Sequence, residues 1–143
     1  MCSMRCPYCQ SDTKVTNSRS RAKGAQVWRR RECTNCHSIW TTHEVIDPST
    51  SHRVKDSHNR LQPFSRDKLF VSLLDALRHR KTALADATAL TDTVLARVLA
   101  LKSAEITKQE LTEIAHQTIK TFDSTAAAVY QASTAPSPLS KRV

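Results

Sequence analysis

Apolar positions along this chain follow two different periods. In the first third they are few and lie among strand-forming residues, with Val15 before Gly24 and with Val27 and Trp28 after it. Because Gly24 is the only glycine of the sequence and falls in the connection, this pattern predicts a small β-hairpin. A further run of strand-forming residues over 39–46 predicts a third strand.

The rest of the chain has the period of amphipathic helices. Ser65 is positioned to cap a first helix, a second is predicted over about 86–101, and a fourth over 124–132. The third helix begins with a capping-box pattern, in which Thr107 is followed three residues later by Glu110. The apolar stripe of the first helix comprises Leu69, Phe70, Leu73, Leu74 and Leu77. The second stripe comprises Leu90, Val94, Val98 and Leu101, and the third Leu111, Ile114, Ala115, Thr118 and Phe122.

A turn-rich break divides the chain into two modules. We predict a β module over 1–46, a linker over 47–52 and a helical domain over 53–134. Residues 135–143 have the composition of a flexible tail. Strand-forming residues on both sides of 56–59 add a short β-hairpin at the start of the helical domain. The sequence therefore predicts an α+β fold, with a small β module followed by a mainly helical domain.

Four of the five cysteines form two Cys-x-x-Cys pairs. Cys6 and Cys9 make the first pair, Cys33 and Cys36 make the second, and 23 residues separate the pairs. This spacing predicts one tetrahedral Zn²⁺ site, with a structural role because four thiolates fill every coordination position. A reducing cytoplasm favours zinc thiolates over disulfides at this spacing. Cys2 is left over and is interpreted as a terminal bystander.

The positive charge is concentrated in the first part of the chain. Residues 1–46 carry eight basic and three acidic side chains, 53–82 carry eight and three, and 83–143 carry six of each. Lysine and arginine release counterions when they bind phosphates, so this field indicates a polyanionic partner, with nucleic acid as the leading class. The sequence has no apolar run of about 20 residues that would cross a membrane. It also lacks the pattern of a secretory signal, and we expect a cytoplasmic protein.

Three consecutive arginines precede the second cysteine pair. Arg29 and Arg31 are predicted to share one face of a strand, and Arg30 the other, because strand side chains alternate. Arg19 adds a further cation on the preceding strand. A metal site that immediately follows the arginines would hold them in place, and we predict that these four residues contact DNA or RNA.

The sequence offers no pattern for catalysis. It lacks a Ser/His/Asp set and a pair of carboxylates at a recognisable spacing, and one glycine is too few for a phosphate-cradling loop. We therefore expect a protein that is not an enzyme. ATP hydrolysis is the least favoured of the functions considered.

Several motifs occur in a recognisable order along the chain. They are Cys6-Pro7-Tyr8-Cys9, Asn17-Ser18-Arg19, Arg29-Arg30-Arg31-Glu32-Cys33-Thr34-Asn35-Cys36, Trp40-Thr41-Thr42-His43-Glu44 and Pro63-Phe64-Ser65-Arg66-Asp67-Lys68-Leu69. Together they resemble the NrdR family, the bacterial transcriptional repressors of ribonucleotide reductase genes. The resemblance to the zinc ribbon of that family is strong over the first 46 residues, and it continues more weakly into the nucleotide-sensing domain called the ATP-cone.

The resemblance implies a nucleotide-responsive repressor. Its ribbon would bind double-stranded operator DNA, and its ATP-cone would bind ATP or dATP, with Mg²⁺ as a possible companion, and so change the state of a homo-oligomer. By position, Cys6, Cys9, Cys33 and Cys36 would be the zinc ligands, and Arg29, Arg30 and Arg31 the DNA contacts. Val54, Lys55 and Lys68 would belong to the nucleotide pocket.

The ATP-cone motif departs from the family at two places. The family hairpin reads Val-x-Lys-Arg-Asp/Asn-Gly, whereas this chain has Val54-Lys55-Asp56-Ser57-His58-Asn59. Matching Lys55 to the motif lysine requires a one-residue insertion, and acidic Asp56 then replaces the arginine. A carboxylate beside phosphate oxygens weakens binding unless it points away or binds through Mg²⁺. Of the aromatic residues of the family's last helix, only Tyr130 falls in register.

Two other functional classes use the same residues. A module for RNA or single-stranded nucleic acid would stack bases on Trp28 and Trp40, although these side chains would more readily fill the small ribbon core. A protein-interaction adapter without nucleotide sensing would dock its basic ribbon on an acidic partner.

Overall fold

The α+β prediction is confirmed by the computed structural model, which describes residues 3–21 and 25–135. The chain forms two compact units that divide between Asp47 and Pro48. Three features named above lie outside the described residues. They are Cys2, the connection around Gly24 and all but the first residue of the predicted tail.

The first unit is a three-stranded antiparallel sheet with β2 at its centre. Its strands are β1 (Thr13–Arg21), β2 (Gln26–Cys33) and β3 (Ile39–Val45). A β-bulge interrupts β1, because Val15 pairs with Arg31 whereas Asn17 pairs with the neighbouring Arg30. Among the described residues of this unit, only Cys6 and Cys33 are buried. Apolar burial is therefore too small to stabilise the sheet alone, and a metal site has to supply the difference.

The second unit combines helices with a small sheet of order β5-β4-β6. Its elements are α1 (Pro48–Ser51), β4 (Arg53–Lys55), β5 (Leu61–Pro63), α2 (Arg66–Ala76), α3 (Ala83–Ala100), β6 (Glu105–Thr107), α4 (Lys108–Phe122) and α5 (Ser124–Thr134). The β4 strand is antiparallel to β5, as the hairpin predicts, and parallel to β6. No helix within 3–21 or 25–135 has the length and apolar content needed to span a membrane.

The core lies among the four long helices of the second unit. Leu69, Leu73 and Leu77 are buried as predicted, while Phe70 and Leu74 pack against them partly buried. The largest side chains with almost no exposed surface in this unit are Phe64, Leu73, Leu77, Ile119, Val94 and Val98.

Two apolar residues assigned to helical stripes are exposed. Leu101 is 49% exposed because α3 ends at Ala100 and Leu101 is its C-cap. Phe122 is 45% exposed at the last position of α4, and Ile119 takes the buried position there. The guanidinium of Arg80 lies 4.7 Å from the centre of the Phe122 ring, a cation–π contact that uses the exposed aromatic face.

The helix starts follow the capping rules. The Ser65 hydroxyl accepts the N–H of Lys68 at 3.2 Å, which caps α2 as predicted. At α4 the Glu110 N–H donates to the Thr107 hydroxyl at 3.1 Å, and the Thr107 N–H donates back to the Glu110 carboxylate at 2.8 Å. The second helix begins at Ala83, earlier than predicted, and Thr82 makes no side-chain cap bond there.

Candidate functional site

The two cysteine pairs lie in loops of the same backbone form. In each loop the N–H of the first cysteine donates to the carbonyl of the residue five positions later, at 3.0 Å. The residue after each second cysteine has a left-handed conformation, with φ of 61° at Gln10 and 58° at His37. The Thr34 N–H and hydroxyl both donate to the Asp12 carbonyl, at 3.1 and 2.9 Å, and so join one loop to the other.

The four cysteine sulfurs converge on one point. Their Sγ atoms all lie within 4.8 Å of one another. The Cys6–Cys36 and Cys9–Cys33 distances between Sγ atoms are 3.7 and 3.4 Å. A Zn–S bond of about 2.3 Å in a tetrahedron requires sulfurs about 3.8 Å apart. The thiolate set therefore fits one tetrahedral Zn²⁺ and needs only a small adjustment to reach that spacing.

Backbone N–H groups support the sulfur atoms. The N–H groups of Asn35 and Cys36 donate to Cys33 Sγ at 3.3 and 3.4 Å, and the Tyr8 N–H donates to Cys6 Sγ at 3.4 Å. Burial raises the pKa of Cys33 to about 11, whereas hydrogen bonds from Ser11 lower the pKa of Cys9 to about 5. Metal binding must then displace a proton from the buried thiol, so zinc affinity rises with pH.

Cross-strand pairing assigns the arginines to two faces of the sheet. Arg30 pairs with Asn17 and Thr41, and Trp28 pairs with Arg19 and His43. Directly paired residues lie on the same face, so Arg19 and Arg30 share a face with Trp28. Arg29 and Arg31 lie on the opposite face, as alternation predicts.

The arginines of one face already have partners. The Arg29 guanidinium contacts Glu44 Oε2 through Nη2 at 3.1 Å, and Arg31 Nε donates to Thr42 Oγ1 at 3.3 Å. Both arginines are half-buried. Trp40, which pairs with Arg31, meets the Tyr8 ring edge-on at a centroid distance of 6.4 Å.

The other face carries cations that are available for ligands. Arg19 and Arg30 are exposed, and within the described part of the chain neither guanidinium has a hydrogen bond or ion pair. On the same face Gln26 Nε2 contacts His43 Nδ1 at 2.9 Å. Arg19 and Arg30 therefore present two free guanidinium groups on adjacent strands of the sheet, on the same face as the half-buried Trp28.

A cleft of about 510 Å³ lies in the second unit, between the β4–β5 hairpin and the helices. Its apolar wall includes Val54, Leu69 and Leu111. The polar and charged side chains along it include Asp56, His58, Arg60, Lys68, Lys108 and Tyr130. Tyr130 is 3% exposed, and burial raises its pKa while a hydrogen bond to Ser72 opposes that shift.

Two of the three sequence-predicted pocket residues line this cleft. Val54 and Lys68 line the cleft, whereas Lys55 does not. Because neighbouring residues of a strand point to opposite faces, Val54 and Asp56 face the cleft and Lys55 between them faces away. Lys108 and Arg60 belong to the lining and are missed by sequence reasoning. Their position depends on which strands and helices pack together, and no local motif marks it.

The hairpin turn explains the position of Asp56. Asp56 Oδ1 accepts the N–H groups of His58 and Arg60 at 2.8 and 3.0 Å, and Oδ2 accepts from Arg60 Nε at 2.9 Å. Asn59 has a φ of 65°, the conformation that glycine takes most readily. Asn59 is therefore the residue of this turn at which a glycine would fit most readily.

Comparisons with known proteins agree over most of the chain. Residues 4–44 match the family model for the N-terminal domain of transcriptional repressor NrdR-like proteins. The transcriptional repressor NrdR of Psychrobacter arcticus is 38% identical over 124 residues, which cover 86% of this chain and 81% of that protein. The NrdR of Aromatoleum aromaticum is 36% identical over 124 residues, with coverages of 86% and 72%. The similarity therefore includes the ribbon and most of the helical unit.

Proposed function

The chain belongs to the NrdR family of transcriptional repressors, and we propose that it represses transcription by binding double-stranded DNA through its zinc ribbon. In this proposal Cys6, Cys9, Cys33 and Cys36 bind one structural Zn²⁺. ATP or dATP, with or without Mg²⁺, occupies the cleft of the helical unit and changes the state of a homo-oligomer in the cytoplasm. The protein acts as a regulator and not as a catalyst.

The observation that carries the DNA-binding proposal is the pair of free guanidinium groups on the sheet. Arg19 and Arg30 lie on paired strands, and the loops at the end of that sheet hold the metal ligands. A rigid support reduces the entropy lost when long side chains bind phosphates or base edges. Arg29 and Arg31 complete the contact if DNA phosphates replace Glu44 and Thr42 as their partners.

The nucleotide proposal is supported by the cleft in the second unit. A volume of about 510 Å³ is within the range of small-molecule sites, and apolar and cationic side chains line it together. A nucleotide that binds one assembly more tightly than another shifts the population toward that assembly. The same linkage changes DNA affinity if the assemblies present their ribbons differently.

DNA binding is tested by fluorescence anisotropy with the zinc-loaded protein. We expect affinity for duplex DNA to fall steeply with added salt, and Arg30→Ala to weaken binding about tenfold while reducing the salt dependence. Arg97→Ala is the matched control, since it removes the same charge from an exposed position of α3. Absence of duplex binding at low salt would contradict the proposal.

Competition between oligonucleotides separates this function from its closest alternative. Duplex DNA should displace a labelled duplex better than single-stranded DNA or RNA of the same sequence does. Preference for single strands, lost on Trp28→Ala, would instead favour a stacking module. If neither nucleic acid nor nucleotide binds, an adapter that docks on an acidic protein is favoured.

The nucleotide switch is tested by calorimetry together with light scattering. ATP and dATP should each bind to the zinc-loaded protein and change its mass in solution. Binding without any change in mass would exclude the oligomer mechanism while leaving the nucleotide site intact. Steady release of phosphate from ATP would contradict the assignment as a regulator.

A further inference from the structure

The cleft of the second unit contains three cations and one acid at its hairpin and helix walls. Arg60 and Asp56 come from the hairpin, Lys68 from the first turn of α2 and Lys108 from the first position of α4. Three positive charges against one negative leave a net charge of +2 for this group of four. The cleft is therefore electrostatically suited to an anion.

Lys68 and Lys108 are available for that anion. Both side chains are exposed, and in the regions 3–21 and 25–135 neither ammonium group makes a hydrogen bond or ion pair. They reach the cleft from different helices, α2 and α4. Their position in the lining is therefore not explained by an ion pair within one helix. Two like charges that face one cavity repel each other, and a bound polyanion would relieve this repulsion.

Asp56 has a different role, because the hairpin turn itself uses its carboxylate. Its oxygens accept two backbone N–H groups and the Nε of Arg60. The side chain of Asp56 is 17% exposed and that of Arg60 is 70% exposed. The pair through Nε leaves the two Nη groups of Arg60 free to bind a ligand. The N–H of Arg60 and the other donors lower the pKa of Asp56, so the carboxylate is ionised at neutral pH.

We propose that Arg60, Lys68 and Lys108 bind the phosphates of the nucleotide in this chain, and that Asp56 lowers the affinity of the site. This inference rests on the proposed nucleotide function. The base and sugar would lie on the apolar wall that includes Val54 and Leu111. Lys55, which the family motif suggested, takes no part, because it lies outside the lining.

The lysines and arginine are tested by calorimetry with ATP on the full-length, zinc-loaded protein. Lys108→Gln, Lys68→Gln and Arg60→Gln should each weaken ATP binding about tenfold, the scale of one lost charge-assisted hydrogen bond. Lys120→Gln, at an exposed position of the same helix as Lys108, should leave binding unchanged. Weaker binding in Lys55→Gln with no change in Lys108→Gln would overturn the inference.

Asp56→Asn gives a test with the opposite sign. An asparagine oxygen can still accept the N–H groups of His58 and Arg60, so the turn is retained while the negative charge is removed. We expect this variant to bind ATP several-fold more tightly than the wild type, both with and without Mg²⁺. If Asp56→Asn binds ATP more weakly than the wild type, and does so only when Mg²⁺ is present, then Asp56 binds the metal ion. That result would contradict the inference.

The outcomes separate the two proposals. If ATP binds to the wild type but the Arg60 and Lys108 variants bind equally well, only the residue assignment fails. If ATP binds to neither the wild type nor Asp56→Asn, the nucleotide function fails with it. ATP binding that is detectable only in Asp56→Asn would support the inference, because it assigns the low affinity to that carboxylate.

Discussion

Asp123 connects the start of α5 to the α2–α3 connection through a single carboxylate. Its Oδ1 accepts the N–H groups of Thr125 and Ala126 at 2.9 and 3.0 Å, which caps α5. Its Oδ2 lies 3.1 Å from His79 Nε2 and accepts from Arg80 Nη1 at 3.0 Å. Together these donors, with the Ala126 N–H first, lower the pKa of Asp123 to about 2.

Folding stability should depend on pH through this residue. The unfolded carboxyl has an ordinary pKa of 3.8 and the folded one about 2, so the unfolded state binds the proton more readily. The stabilisation is complete above pH about 4 and is lost as the pH falls toward about 2. Asp123→Asn should therefore flatten the acid limb of the stability profile, measured by urea unfolding of the helical dichroism signal at several pH values.

A matched variant identifies the cause of that change. Asp92→Asn removes a carboxylate from an exposed position of α3 and leaves the Asp123 contacts intact. An acid limb that is equally flat in both variants would contradict the assignment to Asp123.

At the residue scale, the alternation of side chains along β2 correctly predicts which faces of the sheet its arginines occupy. The same alternation along β1 does not predict the face of Arg19 relative to Val15. Counting by twos puts Val15 and Arg19 on one face, whereas their partners Arg31 and Trp28 lie on opposite faces. The bulge between Val15 and Asn17 causes the difference. A bulge depends on local hydrogen bonding to the next strand, and the side-chain pattern alone does not contain that information.

The elements of the helical unit were predictable in proportion to their length. The four long helices have enough turns for an apolar period to emerge, and their caps add polar markers. β6 has only three residues, with Ile106 alone buried, and pairs in parallel with β4 from far along the sequence. The single-turn α1 lies within the predicted linker and has no buried residue. Neither element is long enough to have a recognisable period.

The capping box of α4 has a measurable contribution of its own. Thr107→Ala removes the hydroxyl that accepts the Glu110 N–H, and loss of such a cap destabilises a protein by about 1 kcal/mol. We expect a drop of this size in the free energy of unfolding, from chemical denaturation followed by circular dichroism. Thr121→Ala is the control, because its hydroxyl bonds only to the Gln117 carbonyl near the other end of α4. Equal losses in the two variants would contradict a role for the cap.

For the whole molecule, cysteine spacing and motif order were enough to predict the ribbon and the family. Four thiolates in two pairs need no core, so their spacing alone specifies the site. The cleft was harder to predict, since its cations come from a hairpin and two helices that meet only in the folded unit. The position of Lys55 relative to the cleft is likewise a property of the folded hairpin, since Val54 and Asp56 line the cleft and the intervening Lys55 does not.

Removal of zinc should affect the two units differently. Among the described residues of the ribbon only Cys6 and Cys33, the first cysteine of each pair, are buried, whereas the second unit has a continuous apolar core. A chelator should therefore abolish DNA binding and shift the emission of Trp28 and Trp40 to longer wavelength, while the helical dichroism signal remains. Restoring Zn²⁺ should restore both. If the helical dichroism signal were lost when the chelator removes Zn²⁺, the second unit would not be stable independently of the ribbon.

The β-bulge at Thr16 also bears on which changes of chain length the ribbon can accept. Val15 and Asn17 already pair with consecutive residues of β2, so a protein that lacked residue 16 could keep every pair that exists on both sides of it. The cost would be the bond from the Thr16 hydroxyl to the Arg30 carbonyl, 3.2 Å long, and some local twist. A deletion of Asn17 or Ser18 that kept the bulge would instead turn Arg19 to the opposite side of the sheet. Length variation among natural ribbons should therefore be tolerated at this one position and selected against in the rest of the strand.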